Sequence, residues 1–119
     1  MTSTSARTMA YLRTQGYTVG DTQKPWNPYT KKRTDLFGIF DCLAFNDEVT
    51  LGVQACGSTD FAEHRRKMLA SSVLKPWCMS NRKAVLIGWS KRVARGKNGK
   101  KMKVKRWTPR IEYLDPTEK

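Results

Sequence analysis

The chain has 119 residues, of which 23 are Lys or Arg and 10 are Asp or Glu, so its formal net charge is +13 at pH 7. This length predicts one domain, and the positive excess favours polyanionic partners, nucleic acid first among them. The chain lacks an apolar stretch that would span a bilayer and the apolar run of a secretory signal, which predicts a cytoplasmic protein without a membrane partner. Three cysteines and one histidine argue against a disulfide framework and a structural zinc site.

The predicted elements begin with a helix over about 5–15, where apolar residues recur at helical spacing and Gly16 follows as a left-handed cap. A short edge strand is predicted from Tyr17, and the polar, proline-interrupted stretch after it predicts a surface loop. Two further strands are predicted over 36–45 and 50–56, joined by a short acidic turn. The first half of the chain therefore reads as one helix and three strands.

The second half of the chain adds a helix and two strands. The helix is predicted to begin at Asp60, with a capping-box pattern, and to run to about Leu74. The nearly continuous apolar run 83–89 is typical of a strand that is covered on both faces. A basic turn leads to a last strand, which Pro109 places at a sheet edge. The order predicts an α/β domain with a mixed central sheet flanked by helices.

Asp41 and Gln54 are the most informative pair of residues in this outline. If the hairpin closes so that Phe45 pairs with Thr50, Asp41 stands directly opposite Gln54. Because side chains alternate along a strand, Gln54 and Cys56 then share the side of Asp41. Mg²⁺ accepts such a carboxylate and amide oxygen. An unpaired charge in an apolar strand is costly, which favours a functional role for Asp41, whereas local hydrogen bonding explains Gln54 equally well.

The element order and these two segments resemble the PD-(D/E)XK nuclease superfamily, in particular the small Holliday-junction resolvases and related phage-encoded proteins. That superfamily has a restriction-endonuclease-like core of order αβββαβ, with an aspartate on its second strand and an acidic-x-Lys triplet on its third. FDCLA around Asp41 is similar to the aspartate motif, and LGVQAC around Gln54 is similar to the triplet. Gln54 replaces the acidic residue and Cys56 replaces the lysine. The resemblance covers residues 4–114.

The resemblance implies a metal-dependent DNA endonuclease that hydrolyses phosphodiester bonds, with branched DNA as one substrate and Mg²⁺ or Mn²⁺ as its cofactor. Its metal ligands would be Asp41, Gln54 and the main-chain carbonyl of Ala55. Asp35 would reach the same ion only if the chain bent sharply near Gly38, so we interpret it as a supporting or structural residue. The alternative is a nucleic-acid-binding protein that keeps the fold and has lost the chemistry, which the two departures from the motif favour. DNA is the partner in both cases, and the first is compatible with a homodimer that engages two strands.

Some members of the superfamily take their catalytic cation from the following helix, which here offers Arg65 and Lys67. A helical count places Arg65 near the centre of the inward face, where its charge would need Asp41, Asp35 or a bound phosphate as a partner. Packing of its stem, with its head in water, explains Arg65 equally well. Lys67 falls on the opposite flank, where a solvated face is the simpler interpretation.

Two basic segments are the predicted phosphate contacts, which would hold a nucleic acid backbone without reading its sequence. Among the four tryptophans, Trp26 is favoured to meet a nucleic acid because it lies in a loop, whereas tryptophans in strands more often pack. A single domain is predicted over 1–119, ending in a basic hairpin of about 84–114. The predicted contacts are Lys31, Lys32 and Arg33 in the first segment, and Lys91, Arg92, Arg95, Lys97, Lys100 and Lys101 in the second.

Overall fold

The computed structural model describes residues 3–22, 28–29, 35–79, 81–95 and 101–117, with the side chains of 93–95 and 101–105 left out. Its elements are α1 (Thr4–Thr14), β1 (Thr18–Asp21), β2 (Cys42–Phe45), β3 (Thr50–Gly57), a 3-10 turn (Ser58–Asp60), α2 (Phe61–Ala70), α3 (Leu74–Trp77), β4 (Arg82–Arg95) and β5 (Lys101–Tyr113). This order confirms the predicted α/β domain with a mixed sheet flanked by helices. Within the described ranges, none of the helices combines the length and the apolar character needed to cross a membrane.

The five strands form one sheet in which neighbours in space are also neighbours in the chain. Every neighbouring pair is antiparallel except β3 and β4, which run parallel. A parallel pair needs a long crossover, and here α2 and α3 supply it. The strand that contains Pro109 lies at the sheet edge, as predicted.

The two faces of the sheet are covered by different helices. On one face, Leu12 of α1 packs with Val53 and Ile87. On the other face, Phe61 and Met68 of α2 belong to a second buried cluster. The central strands are therefore apolar on both sides, as the sequence of β4 predicts.

Two glycines let aromatic rings lie directly on the sheet. A Cβ atom at Gly52 would stand 2.6 Å from the ring of Phe40, and one at Gly88 would stand 2.5 Å from the ring of Phe61. Both distances are too short for any other residue without a shift of the ring or the backbone. Phe40 immediately precedes Asp41, so this packing helps to fix the position of the acidic residue.

Two predicted boundaries are wrong. The second helix ends at Ala70 instead of about Leu74, because Ser71 has an extended backbone and the chain then forms the separate short helix α3. Its expected cap is also not formed, since the side chain of Asp60 makes no capping hydrogen bond. The strand expected from 36 begins only at Cys42, because the residues before it form a turn.

Candidate functional site

The turn before β2 brings Asp35 back to the sheet. Phe37 and Gly38 both have positive φ angles, 54° and 77°, and this left-handed backbone is rare for a bulky residue such as phenylalanine. A sharp bend near Gly38 is the condition under which the sequence allows Asp35 to approach Asp41. The bend is present, and an oxygen of Asp35 lies 2.9 Å from the side-chain nitrogen of Gln54.

The register predicted for the hairpin is confirmed along β2, but the ladder ends at Cys42 and does not reach Asp41. The last pair is Cys42 with Val53, and the Asp41 N–H donates to the Val53 carbonyl oxygen at 2.8 Å. Two consecutive residues of one strand therefore face a single residue of the other, which is the arrangement of a β-bulge. The prediction that Asp41 stands directly opposite Gln54 is wrong, because the bulge turns Asp41 out of the regular alternation.

The oxygens of Asp41 and Gln54 nevertheless converge on one backbone group. The Ala55 N–H donates to Asp41 Oδ2 and to Gln54 Oε1, at 3.1 Å in each case. Ser5 Oγ of α1 donates to the same Asp41 oxygen at 3.1 Å. A carboxylate oxygen and an amide oxygen thus lie side by side in the gap that opens where β2 leaves β3.

The direction of the Gln54 amide is set by its nitrogen. Gln54 Nε2 donates to Asp35 Oδ2 at 2.9 Å and to the Ile39 carbonyl at 3.2 Å. With the nitrogen held on that side, Oε1 is turned towards Asp41. Asp35 therefore orients the amide, which agrees with a supporting role and does not require that Asp35 bind an ion itself.

Asp41 destabilises the fold when it is ionised, because it is buried. It is only 2% exposed, and its Oδ1 atom is buried with no hydrogen-bond partner among the described residues. Burial raises the pKa of Asp41 from 3.8 to about 6, against the lowering effect of hydrogen bonds from Ala55, Ser5 and the Cys42 thiol, and the charge of Asp35 raises it further. Buried polar atoms in proteins are nearly always paired, so this orphaned oxygen calls for a partner such as a cation.

The oxygen atoms of this site fit a hard divalent cation. Asp41 Oδ1 has free acceptor capacity, and Gln54 Oε1 lies beside the same carboxylate. The N–H and C=O groups of a strand residue point to the same side, so the Ala55 carbonyl also faces the gap into which its N–H donates. The part of the chain that the structure describes holds no cluster of three or more His, Cys, Asp or Glu residues, so waters and phosphate oxygens would complete the shell.

Cys56 supplies no cation in place of the expected lysine. It is buried in the core beneath α2, and burial raises the pKa of its thiol to about 11. The thiol is therefore neutral at physiological pH. It fills apolar space that a lysine side chain would have to cross.

Arg65 has a partner that the sequence did not indicate. Its side chain is half-buried, and its Nε atom donates to Glu112 Oε2 of β5 at 2.5 Å. The expectation that its charge would meet Asp41, Asp35 or a phosphate did not include this carboxylate, because β5 is distant in the chain. Lys67 is exposed, in agreement with the solvated face predicted for it.

The predicted nucleic-acid contacts divide into three groups. Trp26, Lys31, Lys32, Arg33, Lys97 and Lys100 lie outside the described residues. Arg95 and Lys101 are ladder partners in the hairpin of β4 and β5. Lys91 and Arg92 are exposed on β4, beyond the position where Gly57 ends β3 opposite Trp89. The β4–β5 hairpin therefore extends past the end of the sheet that holds Asp41.

Comparisons with protein-family models, with curated proteins and with solved structures found no match for this chain. The fold and the site define an α/β domain in which a buried carboxylate and a side-chain amide meet at the end of a central strand. The resemblance to the PD-(D/E)XK nucleases stays a prediction.

Proposed function

We propose that the protein is a metal-dependent deoxyribonuclease that hydrolyses phosphodiester bonds and uses Mg²⁺ or Mn²⁺. The observation that carries this proposal is the buried, unpartnered Oδ1 atom of Asp41 beside the Gln54 oxygen. A buried charge that lowers the stability of the fold is typical of a functional site. The net charge of +13 supports a polyanionic substrate, and the order of helices and strands agrees with the nuclease resemblance.

Several residues of the chain have separate roles in the proposed site. Ser5 and the Ala55 N–H hold one oxygen of Asp41, which leaves the other oxygen to face an ion. Asp35 holds the nitrogen of Gln54 and so presents the amide oxygen to the same place. A divalent cation bound there would polarise the phosphate and lower the pKa of an attacking water. Branched DNA as a substrate, a homodimer that engages two strands and a cytoplasmic location belong to the same proposal.

A second candidate function is nucleic-acid binding without cleavage. It is favoured by the residues that depart from the nuclease motif. Cys56 is a neutral core residue, and Arg65, the expected cation, is paired with Glu112. Under this alternative the site would keep its shape without stabilising the charge that develops in hydrolysis.

Incubation with DNA separates the two functions. Plasmid, single-stranded and four-way-junction DNA are each incubated with the protein in Mg²⁺, in Mn²⁺ and in chelator. We expect cuts that need the metal, with the four-way junction among the substrates, because the proposed chemistry uses a metal-activated water and requires no protein nucleophile. Tight binding of all three DNAs without cleavage in either metal would contradict the nuclease and support the binding protein.

DNA binding should depend strongly on salt. Neutralising about 6–10 phosphates would lower the affinity by about 10³- to 10⁵-fold between 50 and 200 mM salt, because each contact releases counterions. Fluorescence anisotropy with a labelled duplex measures this slope. Lys91→Ala should make it shallower by about one contact, whereas Lys75→Ala, an exposed lysine of α3, serves as the matched control and should not. An affinity that hardly changes with salt would contradict the phosphate contacts.

A further inference from the structure

Trp107 is an exposed aromatic residue with two cations close to its ring. Its side chain is 44% exposed on β5. The guanidinium carbon of Arg7 lies 3.9 Å from the ring centroid, and the Lys91 ammonium lies 5.2 Å from it. Lys91 is also the ladder partner of Trp107 on β4, so the pair shares one face of the hairpin. The ring and the two charges form one surface, which we call the Trp107 patch.

The other described tryptophans are used for packing. Trp89 is buried, and its ring nitrogen donates to Thr8 Oγ1 of α1 at 2.8 Å. Trp77 packs against Phe40 with 4.9 Å between ring centroids, and its nitrogen donates to a backbone carbonyl. Packing therefore accounts for these two rings, whereas much of the Trp107 ring is left open to solvent.

The Trp107 patch and the site of Asp41 are linked by helix α1. The first turns of α1 contact both places, since Ser5 donates to Asp41 and Arg7, two residues further on, stacks on Trp107. Lys91 lies two residues beyond Trp89, which pairs with the last residue of β3. A ligand that contacts the patch is therefore at the same end of the sheet as the acidic site.

We propose that Trp107 is a stacking site for an unpaired nucleobase and that Arg7 and Lys91 contact the phosphates beside it. Stacking on an aromatic ring tolerates every base, but it needs a base whose face is open, and the faces of paired bases are covered by their neighbours in the duplex. The patch therefore selects a single-stranded segment of a substrate and holds it beside Asp41. This inference rests on the proposed function only in taking nucleic acid as the ligand.

Binding in chelator tests the patch without cleavage. Anisotropy is measured with an oligothymidine of about 20 nucleotides, an abasic strand of the same length and a duplex of the same length. Trp107→Ala should weaken oligothymidine binding by roughly 5- to 150-fold, which corresponds to the loss of one stacked base. It should leave the abasic strand and the duplex nearly unchanged, because no charge is removed. Trp107→Phe keeps a ring and should retain most of the affinity.

Tyr113→Ala is the matched control. Tyr113 is an exposed aromatic residue on the same strand and the same face, with Lys83 5.6 Å from its ring, but it lies six residues away, roughly 20 Å along β5. We expect it to leave all three affinities unchanged. Thermal unfolding of each variant verifies that the fold is intact.

Two results would overturn the stacking site. If Trp107→Ala weakens all three ligands equally, the ring only supports the arrangement of the cations, and if it weakens none, the ring does not meet a base. Both outcomes are independent of hydrolysis, since chelator is present throughout. Failure of the nuclease assay would therefore leave the stacking site standing, and failure of the stacking site would leave the nuclease proposal standing.

Discussion

Replacement of Asp41 with asparagine is expected to abolish metal-dependent cleavage and, at the same time, to stabilise the fold. The loss of rate should be about 10³-fold or more, because the variant loses the negative charge of the carboxylate whose Oδ1 would hold the ion, and with it several kcal/mol of transition-state stabilisation. The gain in stability follows from burial. The rise of the Asp41 pKa from 3.8 to about 6 means that keeping this acid ionised at neutral pH costs the fold roughly 3 kcal/mol.

The stability gain should depend on pH in a definite direction. Because the pKa of Asp41 is higher in the folded chain, the folded state holds a proton that the unfolded state has released between about pH 4 and pH 6. The contribution of Asp41 to the free energy of unfolding of the wild type is therefore present at low pH and is lost as the pH rises through that window. Urea unfolding in chelator should show little difference between Asp41→Asn and wild type near pH 4, and a difference that grows to roughly 3 kcal/mol above pH 6.

An exposed acid provides the control for this substitution. Asp47, in the hairpin turn, is exposed, and Asp47→Asn should change neither the stability nor the cleavage. Added Mg²⁺ should raise the unfolding temperature of wild type and leave that of Asp41→Asn unchanged, because a ligand stabilises only the state that binds it. If Asp41→Asn is less stable than wild type at neutral pH and still cuts DNA, Asp41 is a structural acid and the proposed site is wrong.

Gln54→Glu is expected to make the fold depend on a divalent cation. The nitrogen of Gln54 donates to Asp35 Oδ2 at 2.9 Å, so glutamate would place two carboxylates in contact, with Asp41 close by. Two ionised carboxylates at this distance repel each other, and a shared proton or metal ion relieves the repulsion. In chelator at neutral pH, we expect a loss of about 3 kcal/mol in the free energy of unfolding. In Mg²⁺ most of this loss should be recovered, and half-maximal binding should need about tenfold less metal than in wild type, because the site carries one more charge.

Asp35→Asn in the Gln54→Glu background separates repulsion from metal binding. The asparagine nitrogen can donate to the new carboxylate, so the double variant should regain stability in chelator and keep its tighter metal binding. The double-mutant cycle then gives the coupling between the two positions. If Gln54→Glu is as stable as wild type in chelator and does not respond to metal, the wild-type glutamine is a local hydrogen-bonding residue, which agrees with the binding-only alternative.

Several features of the fold follow from local patterns in the sequence. The alternation along β2 and β3 predicts their register, and the apolar run of β4 predicts a strand that is covered on both faces. Pro109 lacks an N–H donor and so predicts an edge strand. Each of these signals involves residues that are close in the chain, where backbone geometry and periodicity act directly.

The site is formed by contacts between residues that are far apart in the chain. Asp35 and Gln54 are 19 positions apart, and Arg65 and Glu112 are 47 apart. Their meeting depends on a left-handed turn at Phe37 and on the contact of Arg65 in α2 with Glu112 in β5, neither of which periodicity reports. The bulge that takes Asp41 out of the ladder position opposite Gln54 is a further departure that a regular register does not predict.

The sequence by itself determined the order of helices and strands apart from the short helix α3, the hairpin register and the presence of one acid and one amide near the end of a central strand. Only the tertiary structure decided that their oxygens share the Ala55 N–H, that Arg65 pairs with Glu112 and that Trp107 is exposed with two cations near its ring. The physical reason is that secondary structure follows short-range periodicity and backbone sterics, whereas the partner of a buried charge is set by which distant segments the core brings together.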